Sequence, residues 1–130
     1  MHDLYDVARK HHVQIYSYPL EQFDSISMPY HNGIIGIDPK RITSLQHEKI
    51  CLAHELGHCL TGSFYNIYSR FDVRQKHENR ADRWAIRMLM PKDKVELAIR
   101  KGYTTRFELA EYFDVPEEFV QKALELYYVA

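Results

Sequence analysis

Cysteine is scarce in this chain, glycine and proline are sparse, and no apolar run is long. Only Cys51 and Cys59 occur in 130 residues, which excludes a small scaffold stapled by disulfides. They fall in a stretch read below as one helix, where a rise of ~1.5 Å per residue sets them about 12 Å apart, too far to pair. Two reduced thiols packed as small hydrophobes fit a reducing compartment. With five glycines and five prolines, the chain is neither collagen-like nor of low complexity. No stretch approaches the ~18 consecutive apolar residues of a membrane span, and the start, Met1-His2-Asp3-Leu4, lacks a basic-then-apolar signal segment. The expected location is cytoplasmic, with no membrane partner. The net charge of −1 comes with Lys and Arg scattered along the chain, without the basic stripe that nucleic-acid binding requires.

What is present is a set of periodic segments that suits one α+β domain over 1–130. Leu4, Val7 and Ala8 have helical spacing; Val13, Ile15, Tyr16 and Tyr18 then read as a strand. Two apolar runs flank His31-Asn32-Gly33, and Asn-Gly between them predicts a β-hairpin at about 25–37. From Thr43, Leu45, Ile50, Leu52, Ala53, Leu56 and Leu60 recur every three or four residues, a helix for which Gly57 allows close approach and Gly62 termination. Residues 63–76 show neither period and read as a loop. A second helix is expected from His77 to Met90, ended by Pro91, followed by a helix to about Lys101, one capped by Thr105 with Glu108, and a last one at 116–128.

The chemistry sits on the first long helix, in His54-Glu55-Leu56-Gly57-His58. Positions i and i+4 lie ~400° apart, so His54 and His58 project from one face and can grip a single ion. Glu55 lies ~100° round, placed to act as a base on water without binding the ion. On the second helix Ala81, Trp84, Ala85, Met88 and Leu89 define an inward stripe, and Glu78 and Asp82 fall in or beside it. Carboxylates facing a core are costly unless paired or metal-bound. Glu78 therefore reads as the third ligand of a zinc ion, and Asp82 as the acceptor that fixes the far nitrogen of His54. The alternative is a surface network of these two carboxylates with Arg74, Arg80 or Arg83. For a group stabilising the oxyanion, Tyr65, Tyr68, Arg70, Arg74 and His77 are all near in sequence, with nothing to choose among them. His47 lies two turns before His54 on the same face; lining the cleft is one reading, and a solvated histidine is the preferred one.

The segments Gly36-Ile37-Asp38, His54-Glu55-Leu56-Gly57-His58, Glu78-Asn79-Arg80-Ala81-Asp82-Arg83-Trp84-Ala85 and Leu89-Met90-Pro91 together resemble the ImmA/IrrE family of metallopeptidases, with a departure at Trp84, where phenylalanine is usual. The resemblance implies a minimal zincin-like fold: a small, mostly antiparallel sheet of about three strands on the ligand helices (core 1–91), then a helical subdomain at 92–130. It implies His54, His58 and Glu78 as zinc ligands and Glu55 as the catalytic residue. It also implies a zinc endopeptidase that cleaves a helix-turn-helix transcriptional repressor of a phage or mobile element. The alternative is a non-proteolytic antirepressor that works by binding its partner. Residues 107–124 read like a helix-turn-helix, yet Glu117, Glu118 and Glu125 would repel phosphate, so packing or protein docking is expected there rather than DNA binding.

Overall fold

The computed structural model describes residues 2–66 and 68–129, and the chain divides into two compact units, Met1–Ala85 and Ile86–Ala130. The first unit contains α1 (His2–Lys10), β1 (Gln14–Ser17), β2 (Ser25–Met28), β3 (Ile34–Ile37), α2 (Leu45–Thr61) and most of α3 (Phe71–Leu89). This is the α+β fold that the sequence predicts. Its three strands run in the order β1-β3-β2. The most apolar run, Ile34-Ile35-Gly36-Ile37, takes the centre because a central strand is covered on both edges, and its last three residues are buried.

The sheet is mixed. β2 and β3 form the antiparallel hairpin, whereas β1 pairs with β3 in parallel. Residues 18–24 must therefore pass the end of β3 to reach β2, and Asp38, the residue just beyond β3, ties them down. Its carboxylate accepts from the Leu20 and Lys40 N–H groups, each at 3.0 Å, and its own N–H donates to the Asp24 carbonyl at 3.0 Å. The donors from Leu20 and Lys40 hold the Asp38 carboxyl below the usual range, which keeps a buried side chain ionised. The hairpin closes through a five-residue loop in which Gly33 has φ 113°. A Cβ on Gly33 would also lie 2.6 Å from Cys59 Sγ, so glycine is required there twice over.

Helix α2 begins at Ser44, whose hydroxyl accepts from the His47 N–H, and ends at Gly62 in the left-handed region. It packs on β2 and β3. Its buried Leu52, Ala53 and Leu56 anchor it there, each leucine contributing about 1.5–3 kcal/mol. Both cysteines are free, as their spacing on one helix requires. Helix α3 starts at Phe71, six residues before the expected His77. Five of the residues 71–76 are exposed. A turn with no buried face leaves no apolar stripe to read, and its N–H groups are satisfied by the ordinary helical ladder.

The second unit takes the last turn of α3 with α4 (Lys92–Arg100), α5 (Arg106–Phe113) and α6 (Glu117–Tyr128). Val95, Ala98, Leu109, Val115, Phe119, Val120 and Ala123 are buried. Thr105 and Glu108 form the reciprocal cap that their spacing predicts. Thr105→Ala is expected to destabilise the chain by about 1 kcal/mol, seen as a lower urea midpoint with an unchanged slope. Among the described residues no helix is long and apolar enough to cross a membrane.

Candidate metal centre

Helices α2 and α3 meet at Gly57 and Ala81. An added Cβ on Gly57 would lie 2.5 Å from the Ala81 carbonyl oxygen and 2.9 Å from its Cα, so the two backbones are in direct contact. That contact sets His54 and His58, one turn apart on α2, opposite Glu78, one turn before Ala81 on α3. The donor atoms of these three residues all lie within 4.8 Å of one another and could hold a metal ion.

The spacing is tight. His54 Nε2 stands 2.8 Å from Glu78 Oε2, His58 Nε2 stands 3.0 Å from Glu78 Oε1, and the two Nε2 atoms are 3.2 Å apart. Each ring is held from behind. His54 Nδ1 lies 2.8 Å from Asp82 Oδ1, and His58 Nδ1 lies 2.5 Å from the Ser63 carbonyl oxygen. An imidazole whose Nδ1–H is donated to such an acceptor turns its Nε2 lone pair into the site.

The electrostatics follow from this crowding. Burial pulls the His54 imidazole down, but the carboxylates of Asp82 and Glu78 overcome it and push the group up to about 10. Burial raises the Glu78 carboxyl, yet the bonds from His54, His58 and Tyr65 hold it well below the usual carboxylate range. Two rings facing one ionised carboxylate are thus an assembly waiting for positive charge, which a divalent ion supplies as well as protons do. Asp82→Ala is expected to lower metal affinity by about 10–100-fold, measured by competition with a chelating dye.

Glu55 is buried at 7% exposure, and the Ser25 hydroxyl donates to its Oε2 at 2.7 Å. It lines a cleft of about 410 Å³ with His54, His58 and Glu78 on one side and Ser25, Ile26 and Ser27 of β2 on another. Sequence reasoning did not find Ser25, since a serine in an alternating strand carries no mark of its partner. Nor did it find Ser63, which acts through its carbonyl and so is independent of residue type.

Of the five residues offered as oxyanion donors, Tyr65 alone lines this cleft. Its hydroxyl donates to Glu78 Oε1 at 2.8 Å, and burial and that bond push the phenol up to about 12, so it stays a donor at neutral pH. Tyr68 is 88% exposed and Arg70 faces Asp72. The Tyr65 ring stacks on His77, whose buried Nδ1 has no hydrogen-bond partner among the described residues, and the same holds for Arg74 Nε. His47 is half-buried and bonded to Asp24 at 3.0 Å rather than solvated.

No curated protein matches the chain. The family model described as the IrrE N-terminal-like domain, a peptidase family, matches residues 8–125. That span takes in the sheet and both helices that carry the His-His-Glu cluster, and the chain therefore belongs to this family, which makes it a metallopeptidase-like protein with a candidate metal site.

Proposed function

We propose that the protein is a cytoplasmic zinc-dependent endopeptidase, with His54, His58 and Glu78 as zinc ligands, Glu55 as general base and Asp82 orienting His54. The observation that carries this reading is the donor cluster, in which each oxygen of Glu78 faces one imidazole. Spacings of 2.8 Å from His54 Nε2 to Oε2, 3.0 Å from His58 Nε2 to Oε1 and 3.2 Å between the two Nε2 atoms are near the ~3.3 Å donor separations of a tetrahedral zinc site with bonds of ~2.0–2.1 Å, and two imidazoles with one carboxylate suit that ion. Bound there, zinc would polarise a substrate carbonyl and acidify a water molecule. Glu55, steadied by Ser25, takes the proton from the attacking water and returns it to the leaving amine. Tyr65, whose one hydroxyl proton goes to Glu78 Oε1 in the structure, would turn it to the oxyanion once Glu78 holds the metal.

Strand β2 lies at the edge of the sheet and along the cleft. An extended segment of a protein substrate can pair with its free backbone groups. We assign residues 1–91 to the peptidase core and 92–130 to a helical subdomain that docks on the partner, for which a helix-turn-helix transcriptional repressor of a phage or mobile element is the expected protein. Glu117 and Glu118 are exposed at the start of α6, which disfavours direct contact with nucleic-acid phosphate. The same acidic surface favours a second reading, in which the protein inactivates its partner by binding alone.

The test is incubation of the zinc-loaded protein with a folded repressor of this type. Discrete cut products that vanish with a chelator support the endopeptidase. An intact repressor that nevertheless leaves its operator supports the binding reading, and degradation of casein at a similar rate removes site specificity.

A further inference from the structure

The turn of α2 before the metal centre repeats its logic with other residues. His47 and Cys51 stand four apart, on one face of α2 as His54 and His58 do, and Asp24 reaches them from the residue before β2. Their donor atoms Oδ, N and Sγ all lie within 4.8 Å of one another, one of two such groups among the described residues. We propose that Asp24, His47 and Cys51 form a second cation site, taking zinc or a like borderline-soft divalent ion through one oxygen, one nitrogen and one sulfur.

The side chains around this group already hold two of its donors in position. Asp24 Oδ2 stands 3.0 Å from His47 Nε2 while Arg41 Nε holds the other oxygen, Oδ1, at 3.0 Å. The carboxylate therefore offers one oxygen inward. His47 Nδ1 accepts from the Thr43 N–H at 3.1 Å and has Thr43 Oγ1 at 3.2 Å, so a metal on Nε2 requires the ring proton to move to Nδ1 and that nitrogen to turn from the Thr43 N–H to the Thr43 hydroxyl oxygen. All three ligands are half-buried, so an ion reaches them from solvent. Zinc bonds of ~2.0–2.3 Å require the most distant donors to close by roughly 1 Å, within the reach of a cysteine rotamer and a strand-end carboxylate. On binding, the Cys51 thiol releases its proton to solvent and the thiolate becomes the ligand. The cation balances the Asp24 carboxylate and the Cys51 thiolate formed on binding, beside the Arg41 guanidinium. Cys51 lies close to Ser25, whose hydroxyl holds Glu55, so the two sites are neighbours along α2.

The site stands whether or not Glu55 cuts a substrate, and its test reads metal alone. The full-length chain is titrated with cobalt(II), then with cadmium(II), and monitored for bound equivalents and for a thiolate-to-metal charge-transfer band. Two equivalents are expected, with the band arising from the second. Cys51→Ser and His47→Gln should each remove the band and one equivalent, and Cys59→Ser should remove neither. His58→Ala should keep the band while losing the other equivalent, which separates failure of this site from failure of the proposed metal centre. In the unaltered chain, zinc should slow alkylation of Cys51 at least tenfold. A single equivalent without the thiolate band, or a band that survives Cys51→Ser, would overturn the proposal and leave the trio as a clip that ties residue 24 to α2.

Discussion

Glu55→Gln is expected to retain the metal of the wild-type chain and to lose about two to four orders of magnitude in cleavage rate, the span ascribed to a positioned general base. The amide is isosteric with the carboxylate, and its oxygen still accepts from the Ser25 hydroxyl now 2.7 Å from Oε2. The buried position is therefore filled without a cavity, and the Ser25 hydroxyl keeps its acceptor. What the substitution removes is the ability to take a proton from water. Elemental analysis and thermal unfolding should match the parent chain while product formation stops. If cleavage continues undiminished, Glu55 is not the base; if the metal is lost as well, it is part of the binding set rather than beside it.

Gly57→Val is expected to destabilise the chain by about 3 kcal/mol, near the upper end for overpacking, and to lower Tm by roughly 10 °C. A Cβ here meets the Ala81 carbonyl oxygen at 2.5 Å and its Cα at 2.9 Å. These are backbone atoms of a helix and cannot rotate away, so α2 and α3 must separate. A gain of a few tenths of a kcal/mol in helix propensity over glycine does not offset this. Because Glu78 rides on α3 one turn before Ala81, the separation also pulls its carboxylate off the two Nε2 atoms. Metal affinity should fall with stability, as calorimetric titration of the folded variant would read. Gly62→Ala separates the two roles of glycine in α2: a Cβ there meets nothing within 4 Å, and its cost comes only from φ 65°, about 1 kcal/mol with no change in metal affinity.

The parts of this fold that were legible in the sequence are those governed by short-range periodicity. The 3.6-residue repeat of α2, the alternation about Asn32-Gly33 and the Thr105–Glu108 cap depend on neighbours a few residues away, and each forms where that repeat puts it. The exposed first turns of α3 were not legible, because a helix without a buried face leaves no pattern. The parallel pairing of β1 was not legible either, since it depends on how Asp38 ties residues 18–24 across the end of β3.

The site divides in the same way. By itself the sequence determined that His54 and His58 share a helical face with Glu55 beside them, and that Glu78 and Asp82 lie on one stripe, because helical geometry converts spacing directly into direction. Only the tertiary structure decided which atoms meet: Asp82 with His54, a backbone carbonyl behind His58, Ser25 on Glu55, and Tyr65 out of five candidates. These are contacts between segments 5 to 30 residues apart, set by the approach of two helix backbones and the edge of a sheet, and no local periodicity encodes them.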